Sequence, residues 1–340
     1  FNIIINFTFL SFFNEMLGFI QQDVENIFAR YDFPQEEVQS VLTDLKFYYN
    51  GYLFYKNANI RLYNSDMILY FLEWYKEYRT YPDTILDNNV RTDYNKIRQI
   101  ALKFDDTNII DTIIAENQLE TKIAERFPLQ EMHGDVNNFR SLLLYLGMMT
   151  IKAPALDGIL MQIPNYVIKT IYWDYFNSIL KKNVPDVSKE NLRTTTRQMQ
   201  TDGNIQPFLE YVSGIMETLS NRDLISFNEK NIKVVLLTLF NLDGLYVIAS
   251  ERETHKGYID ILLLKDIRYK QYINYEWLIE IKYLKKNTYH TLDAIREEGL
   301  EQLNNYSFAG DIESTVEMKS LKRALLVFSG KNKIDVFFPG

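Results

Sequence analysis

Apolar residues recur at helical spacing through EMLGFIQQDVENIFARY, which predicts an amphipathic helix near the start of the chain. A second helix is predicted over PQEEVQSVLTDLKFYY, with Pro34 at its start. A third runs through SDMILYFLEWYKEYR, with Asn64 or Ser65 as its cap. Between these two, YNGYLF reads as a turn into a short strand, because Asn50-Gly51 is a strong turn dipeptide. Further on, NFRSLLLYLGMMTIKAP predicts a helix that breaks at Gly147 into a strand, and IPNYVIKTIYWDYFNSILKK another helix.

The pattern changes at VPDVSKENLRTTTRQMQTDGN, a polar stretch poor in aromatics that marks a candidate domain boundary. Two helices are predicted beyond it, IQPFLEYVSGIMETLS and FNEKNIKVVLLTLFNLDG, the second ending at Gly244. Three strand-like segments follow: LYVIASER, KGYIDILLLK and EWLIEIKYL. A helix, TLDAIREEGLEQLNNYSF, and two apolar strands, RALLVFS and KIDVFF, complete the chain. The reading is therefore a mostly helical region over residues 1–200 and an α/β region over 204–340, layered α/β/α about a central mixed sheet.

Two of these strands hold ionised residues in apolar surroundings: Asp260 in GYIDILLL, and Glu280 and Lys282 in WLIEIKY. A charge buried in a strand costs several kcal/mol, roughly, unless it is paired, hydrated or bound to a metal. Side chains alternate along a strand, so Glu280 and Lys282 share one face, and a neighbouring strand can bring Asp260 to the same place. Two carboxylates with a backbone carbonyl, here that of Ile281, make a hard oxygen site suited to Mg²⁺. A nearby lysine can position or deprotonate a water, or stabilise charge on a phosphate. The competing reading is a half-solvated strand with ordinary polar alternation. Composition and spacing leave the two about equal.

Composition narrows the field without choosing. With no cysteine among 340 residues, there is neither a disulfide framework nor a thiolate zinc site, and any metal must use oxygen ligands or one of three histidines. A cytoplasmic setting fits that usage. The net charge of −8 argues against a protein that coats nucleic acid, though not against a local basic surface. No apolar run reaches transmembrane length. The opening FNIIINFTFLSFF lacks the basic flank and small-residue cleavage site of a signal peptide, and a start at Phe1 suggests a piece of a longer protein.

The order helix, strand, strand with Asp, strand with E-x-K, helix, strand resembles the PD-(D/E)XK nuclease superfamily, a restriction-endonuclease-like fold. The matching residues are Asp260, Glu280 and Lys282, with Ile259 where the superfamily's name has Pro. The resemblance implies a supporting glutamate from the first core helix, where Glu229 stands. It also implies a Q-x-x-x-Y pair on the helix after the E-x-K strand, supplied by Gln302 and Tyr306, which lie four apart on one helix face. Glu229 equally fits a capping box with Ser226, and outside the family context Gln302 and Tyr306 read more simply as an ordinary exposed polar pair.

The front segments LGFIQQDVENIF, LKFYYNGYLF, RLYNSDMILYFL and LLLYLGMMTIK are similar to the lid and linker of AAA-ATPase-like proteins that end in such a nuclease domain. No G-x-x-x-x-G-K-[ST] loop occurs, so no ATP binding is expected, and the nucleotide core would lie upstream or be missing.

The resemblance implies hydrolysis of nucleic acid, DNA ahead of RNA, with Mg²⁺ or Mn²⁺ held by Asp260, Glu280 and the Ile281 carbonyl. Glu229 would support the metal or its water, Lys282 would assist the attacking water, and Gln302 and Tyr306 would orient the phosphate. The rival readings are a non-catalytic module binding nucleic acid or a protein partner, and a toxin or effector nuclease held silent by a partner. Lys265, Arg268, Lys270, Lys285 and Lys286 are candidates for a phosphate-facing patch. Glu251 and Glu253 are candidate supporting acids, His255 a candidate rim residue, and Tyr48, Tyr49 and Tyr52 are read as packing.

Overall fold

The computed structural model describes residues 9–87, 107–125, 135–184, 187–221, 228–254, 257–285, 291–307, 316, 318–330 and 332–339. The chain divides into two compact units, Phe1–Tyr172 and Trp173–Gly340.

In the first unit the helices are α1 (Gln21–Phe28), α2 (Gln35–Tyr49), α3 (Ser65–Tyr78), α4 (Thr107–Glu116) and α5 (Val136–Tyr145). The strands are β1 (Asn50–Tyr52), β2 (Leu62–Tyr63), β3 (Gln118–Thr121), β4 (Thr150–Ala155) and β5 (Gly158–Gln162). Helix α6 (Tyr166–Asn183) begins here and continues into the second unit. β1 pairs with β2, and β3, β5 and β4 form an antiparallel sheet in that order. Asn64 caps α3, its Oδ1 accepting from the Met67 amide at 3.1 Å.

Asn50-Gly51 lies inside β1 and is not a free turn. Gly51 adopts φ +135°, and a Cβ there would come within 1.9 Å of the Pro164 carbonyl oxygen, so close backbone approach explains the glycine. Tyr48, Tyr49 and Tyr52 are buried, and the Tyr49 hydroxyl donates to the Ile85 carbonyl at 2.7 Å, which is core packing.

The second unit holds α7 (Lys189–Thr201), α8 (Gln206–Asn221), α9 (Glu229–Asp243) and α10 (Leu292–Ser307). Its strands are β6 (Tyr246–Thr254), β7 (Gly257–Lys265), β8 (Glu276–Leu284), β9 (Leu321–Ser329) and β10 (Lys333–Phe337). The polar stretch expected at a boundary thus belongs inside this unit. It folds as α7 because Leu192, Thr196, Met199 and Gln200 recur at helical spacing and are buried, while its many polar residues take the other face. Its start is fixed by Ser188, whose hydroxyl accepts from the Asn191 amide at 3.1 Å.

The five strands form one mixed sheet in the order β10-β9-β8-β7-β6. Only β8 and β9 run parallel, which is why α10 connects them. Successive residues of β8 serve opposite faces. The Trp277 indole donates to the Met199 carbonyl of α7 at 3.1 Å, on the side where α7 packs against α9. Leu278 joins Ile295 and Leu303 of α10 and Leu325 and Val327 of β9 in a core cluster on the other side. The result is helices on both faces of a mixed sheet. Leu278, Leu303 and Leu325 are fully buried, and each such side chain stabilises the fold by about 1.5–3 kcal/mol. On α10, Gly299 allows the close approach: a Cβ there would stand 2.5 Å from a Leu325 methyl.

Candidate active site

The β7–β8 ladder is short. It runs from Leu263↔Trp277 through Leu262↔Leu278 to Ile261↔Ile279 and continues no further. At that point the alternation of β7 also breaks, since Ile259 and Leu262 both belong to the core cluster under α10 although strict alternation would put them on opposite faces. Asp260 is thereby turned into the gap between the strands. Its Oδ2 accepts from the Ile281 amide at 2.9 Å, in the place of a ladder carbonyl. The next amide on the same edge of β8, that of Tyr283, is taken by the Glu229 carboxylate. Two carboxylates from different elements thus occupy two successive donors that the parted strands leave open.

Glu280 and Lys282 lie on the face shared with Leu278, beside Leu325 and Val327 of β9. The Lys282 Nζ is 3.2 Å from Glu280 Oε1 and 3.9 Å from Glu298 Oε1 on α10. Glu280 is 3% exposed, and its other oxygen, Oε2, is buried without a hydrogen-bond partner. A buried, half-satisfied carboxylate is costly, and an unpartnered lone pair there is a vacancy for a proton or a cation. Gln302, one turn along α10 from Glu298, also has a buried, unpartnered Oε1.

Burial, and then the Asp260 charge, push the Glu280 carboxyl up to about 8 against the pull of Lys282. Burial works against the Lys282 ammonium, but Glu280, Glu229 and Asp260 outweigh it and raise its pKa. Glu229 is exposed as a residue, yet burial of its carboxylate, then Asp260, raise its pKa too.

A pH dependence follows. Glu280 holds its proton more tightly folded than unfolded, so its contribution to stability is full below the ordinary value of 4.5 and is lost as pH rises through about 8. The metal-free chain is expected to melt at a lower temperature at pH 9 than at pH 6. Glu280→Gln should flatten that part of the profile, as scanning calorimetry at the two pH values would record. An unchanged profile in the variant would remove this assignment.

The structure brings Asp260, Glu280, Lys282 and Glu229 together from β7, β8 and α9. Gln302 reaches the same side of the sheet from α10. Tyr306 is placed differently: it is buried in the core cluster, against Gly257 at the start of β7. Glu229 is not the third residue of a helix capped by Ser226. It is the first residue of α9, and Asn228 is the cap, its Oδ1 accepting from the Asn231 amide at 2.8 Å. Ser226 lies outside the described residues, as do His255, Lys286 and the side chains of Glu251 and Glu253.

The basic patch does not assemble. Lys265 pairs through its amide with Glu276 at one end of β8, whereas Lys285 follows Leu284 at the other end. Arg268 is held by Asp266, with Nε–Oδ1 at 2.9 Å and Nη2–Oδ2 at 2.6 Å.

Two participants were missed in the sequence. Lys233 of α9, 3% exposed, places its Nζ 2.9 Å from Asp260 Oδ1. Glu298 shares the α10 stripe with Gln302. Lys233 had a signal, a lone charge inside the apolar run NIKVVLLTLF.

Among the described residues no three His, Cys, Asp or Glu side chains gather in metal-binding range, so a cation here would need main-chain ligands besides Asp260 and Glu280. The Ile281 carbonyl is suited to this, because a strand residue directs its N–H and C=O to the same edge, here the edge facing Asp260. Among the described residues, no helix is long and apolar enough to cross a membrane.

A search of curated proteins found no match to the chain. The ATPase-like resemblance of the front segments finds no support in the comparisons. A family model of the PD-(D/E)XK nuclease superfamily matches residues 227–337, about a third of the chain. That span opens just before Glu229, closes in β10 and takes in the whole five-stranded sheet with both carboxylates. Residues 227–337 are therefore a PD-(D/E)XK nuclease superfamily domain, and the parting of β7 from β8 at Asp260 is where its ionisable residues meet.

Proposed function

We propose that the second unit hydrolyses phosphodiester bonds of nucleic acid, DNA ahead of RNA, with a divalent cation, Mg²⁺ or Mn²⁺. The observation that carries this is the unpartnered, buried Glu280 Oε2 beside Asp260 and Lys282. Such an oxygen fits a hard cation better than it fits a packed core. Asp260, Glu280 and the Ile281 carbonyl would hold the ion, which when bound supplies a Lewis acid and a more acidic water.

The chain's own residues do the rest. Lys282, cationic in its carboxylate surroundings, sits where it can balance charge building on a phosphoryl oxygen and orient the attacking water. Glu229, fixed by the Tyr283 amide, lies beside Asp260 and can accept from that water. The Gln302 amide, whose Oε1 is buried without a hydrogen-bond partner, would orient Lys282 or a phosphate. Tyr306, on the buried face of α10, supports Gln302 through helix packing in this reading and does not touch the phosphate.

The test is direct. The purified chain is incubated with DNA or RNA and Mg²⁺ or Mn²⁺, with and without chelator. Cleavage that the chelator abolishes is expected. If neither metal supports cleavage and calorimetry detects no Mn²⁺ binding, the alternative stands: a nuclease-fold module that binds nucleic acid or a protein partner without cutting. Lys233, which already pairs with Asp260, favours that second reading, and the net charge of −8 favours its protein-partner form over its nucleic-acid form.

A further inference from the structure

We infer that Lys233 is a built-in counter-cation that competes with the divalent ion for Asp260, so that loading the site requires its ammonium to move aside. The inference rests on the metal-dependent reading above and adds its regulation. Three observations support it.

Lys233 is 3% exposed and its Nζ is 2.9 Å from Asp260 Oδ1, so it is a committed partner and not a surface lysine resting on an acid. With Oδ2 engaged by the Ile281 amide, both Asp260 oxygens are occupied, while Glu280 Oε2 lacks a hydrogen-bond partner. The site is therefore satisfied on one carboxylate and open on the other, which is the arrangement expected where a protein charge stands in for part of an ion.

The third observation is a second seat. Glu229 lies one helical turn before Lys233 on α9, and its carboxylate feels both Lys233 and Asp260. A lysine has a flexible stem, so its ammonium can pass from Asp260 to Glu229 without leaving the carboxylate cluster. Glu229 is then the acceptor for the displaced charge. Lys233 is a positioning residue in this scheme: it sets how readily Asp260 meets a cation and does not touch the reacting phosphate.

Calorimetric titration with Mn²⁺ tests this on the full chain, comparing wild type, Lys233→Met, Lys233→Arg and Asp260→Asn. Removing a unit positive charge this close to the ion should tighten Mn²⁺ binding by at least about tenfold in Lys233→Met. Lys233→Arg keeps the charge and should stay near wild type. Asp260→Asn should bind Mn²⁺ more weakly than wild type does, which identifies the site. Wild type that binds no Mn²⁺ while Lys233→Met does would support the inference in its strongest form. Wild type that binds through Asp260, with Lys233→Met equal or weaker, overturns the inference and leaves the metal-dependent reading standing. If neither wild type nor Lys233→Met binds Mn²⁺, both fall.

Should Lys233→Met fail to fold, a structure of the wild-type chain with Mn²⁺ decides. The Lys233–Asp260 contact opening beyond 4 Å supports displacement, and a contact retained near 2.9 Å with the ion in place overturns it.

Discussion

Lys282→Ala is expected to lower metal-dependent cleavage by about 10²–10⁴-fold while Mn²⁺ binding stays no weaker than in the wild type. The separation of the two effects follows from the geometry. Lys282 is not a ligand; its ammonium stands 3.2 Å from the Glu280 oxygen that is not vacant. Its pKa is raised by the surrounding carboxylates, so in the metal-free chain at neutral pH it is a fixed positive charge and not a proton acceptor. Its contribution is then electrostatic, largest where negative charge builds on the phosphoryl oxygens. The loss should fall on kcat with KM little changed. Lys282→Arg should not restore the rate, because a planar guanidinium replaces a point charge in a half-buried slot. Steady-state cleavage rates beside calorimetry would check this. A Lys282→Ala chain that cuts at the wild-type rate would end the role assigned to this residue.

Much of the fold was legible because burial imposes period. The runs GYIDILLL, WLIEIKYL and RALLVFS are apolar on both faces, as strands covered by helices on both sides must be, and all three lie at the centre of the sheet. Asp260, Glu280 and Lys282 stood out against that background because charge in such a run demands compensation. Their meeting on adjacent strands followed from topology.

What strand alternation could not show is how Asp260 arrives. Period two places it on one face, whereas the break between Ile259 and Leu262 turns it into the gap between strands. A local irregularity of this kind leaves no residue-type mark. The helical stretch 189–201 was hidden for a different reason. A helix that buries few large apolar residues, with a threonine and a glutamine among the rest, has the composition of a linker, and its capping serine was the one clear cue. Lys233 was legible by the same argument that exposed Asp260 and shows that the argument applies to helices as well as strands. Tyr306 shows its limit, since helical spacing places it in line with Gln302 but says nothing of depth.

Asp260→Ala should destabilise the metal-free chain by about 3–5 kcal/mol, measured by urea unfolding. The side chain is mostly buried, and its removal takes a partner from two groups at once: the Lys233 ammonium, whose side chain is 4% exposed, and the Ile281 amide. An inactive Asp260→Ala protein would therefore confound chemistry with folding. Asp260→Asn separates them. Its amide oxygen can still accept from Ile281 or from Lys233, so the loss of stability should be smaller, while the charge that a divalent ion needs is gone.

The pair itself can be isolated by a double-mutant cycle. Lys233→Met alone takes from Asp260 Oδ1 its ammonium partner, which also destabilises. Combined with Asp260→Ala it removes both charges together, and replacing both partners of a buried pair costs far less than removing one. The double variant should recover most of the stability lost in Asp260→Ala. Additive losses would mean that Lys233 finds an equal partner elsewhere in every state, and the ion pair would then not be what holds Asp260 in the gap between β7 and β8.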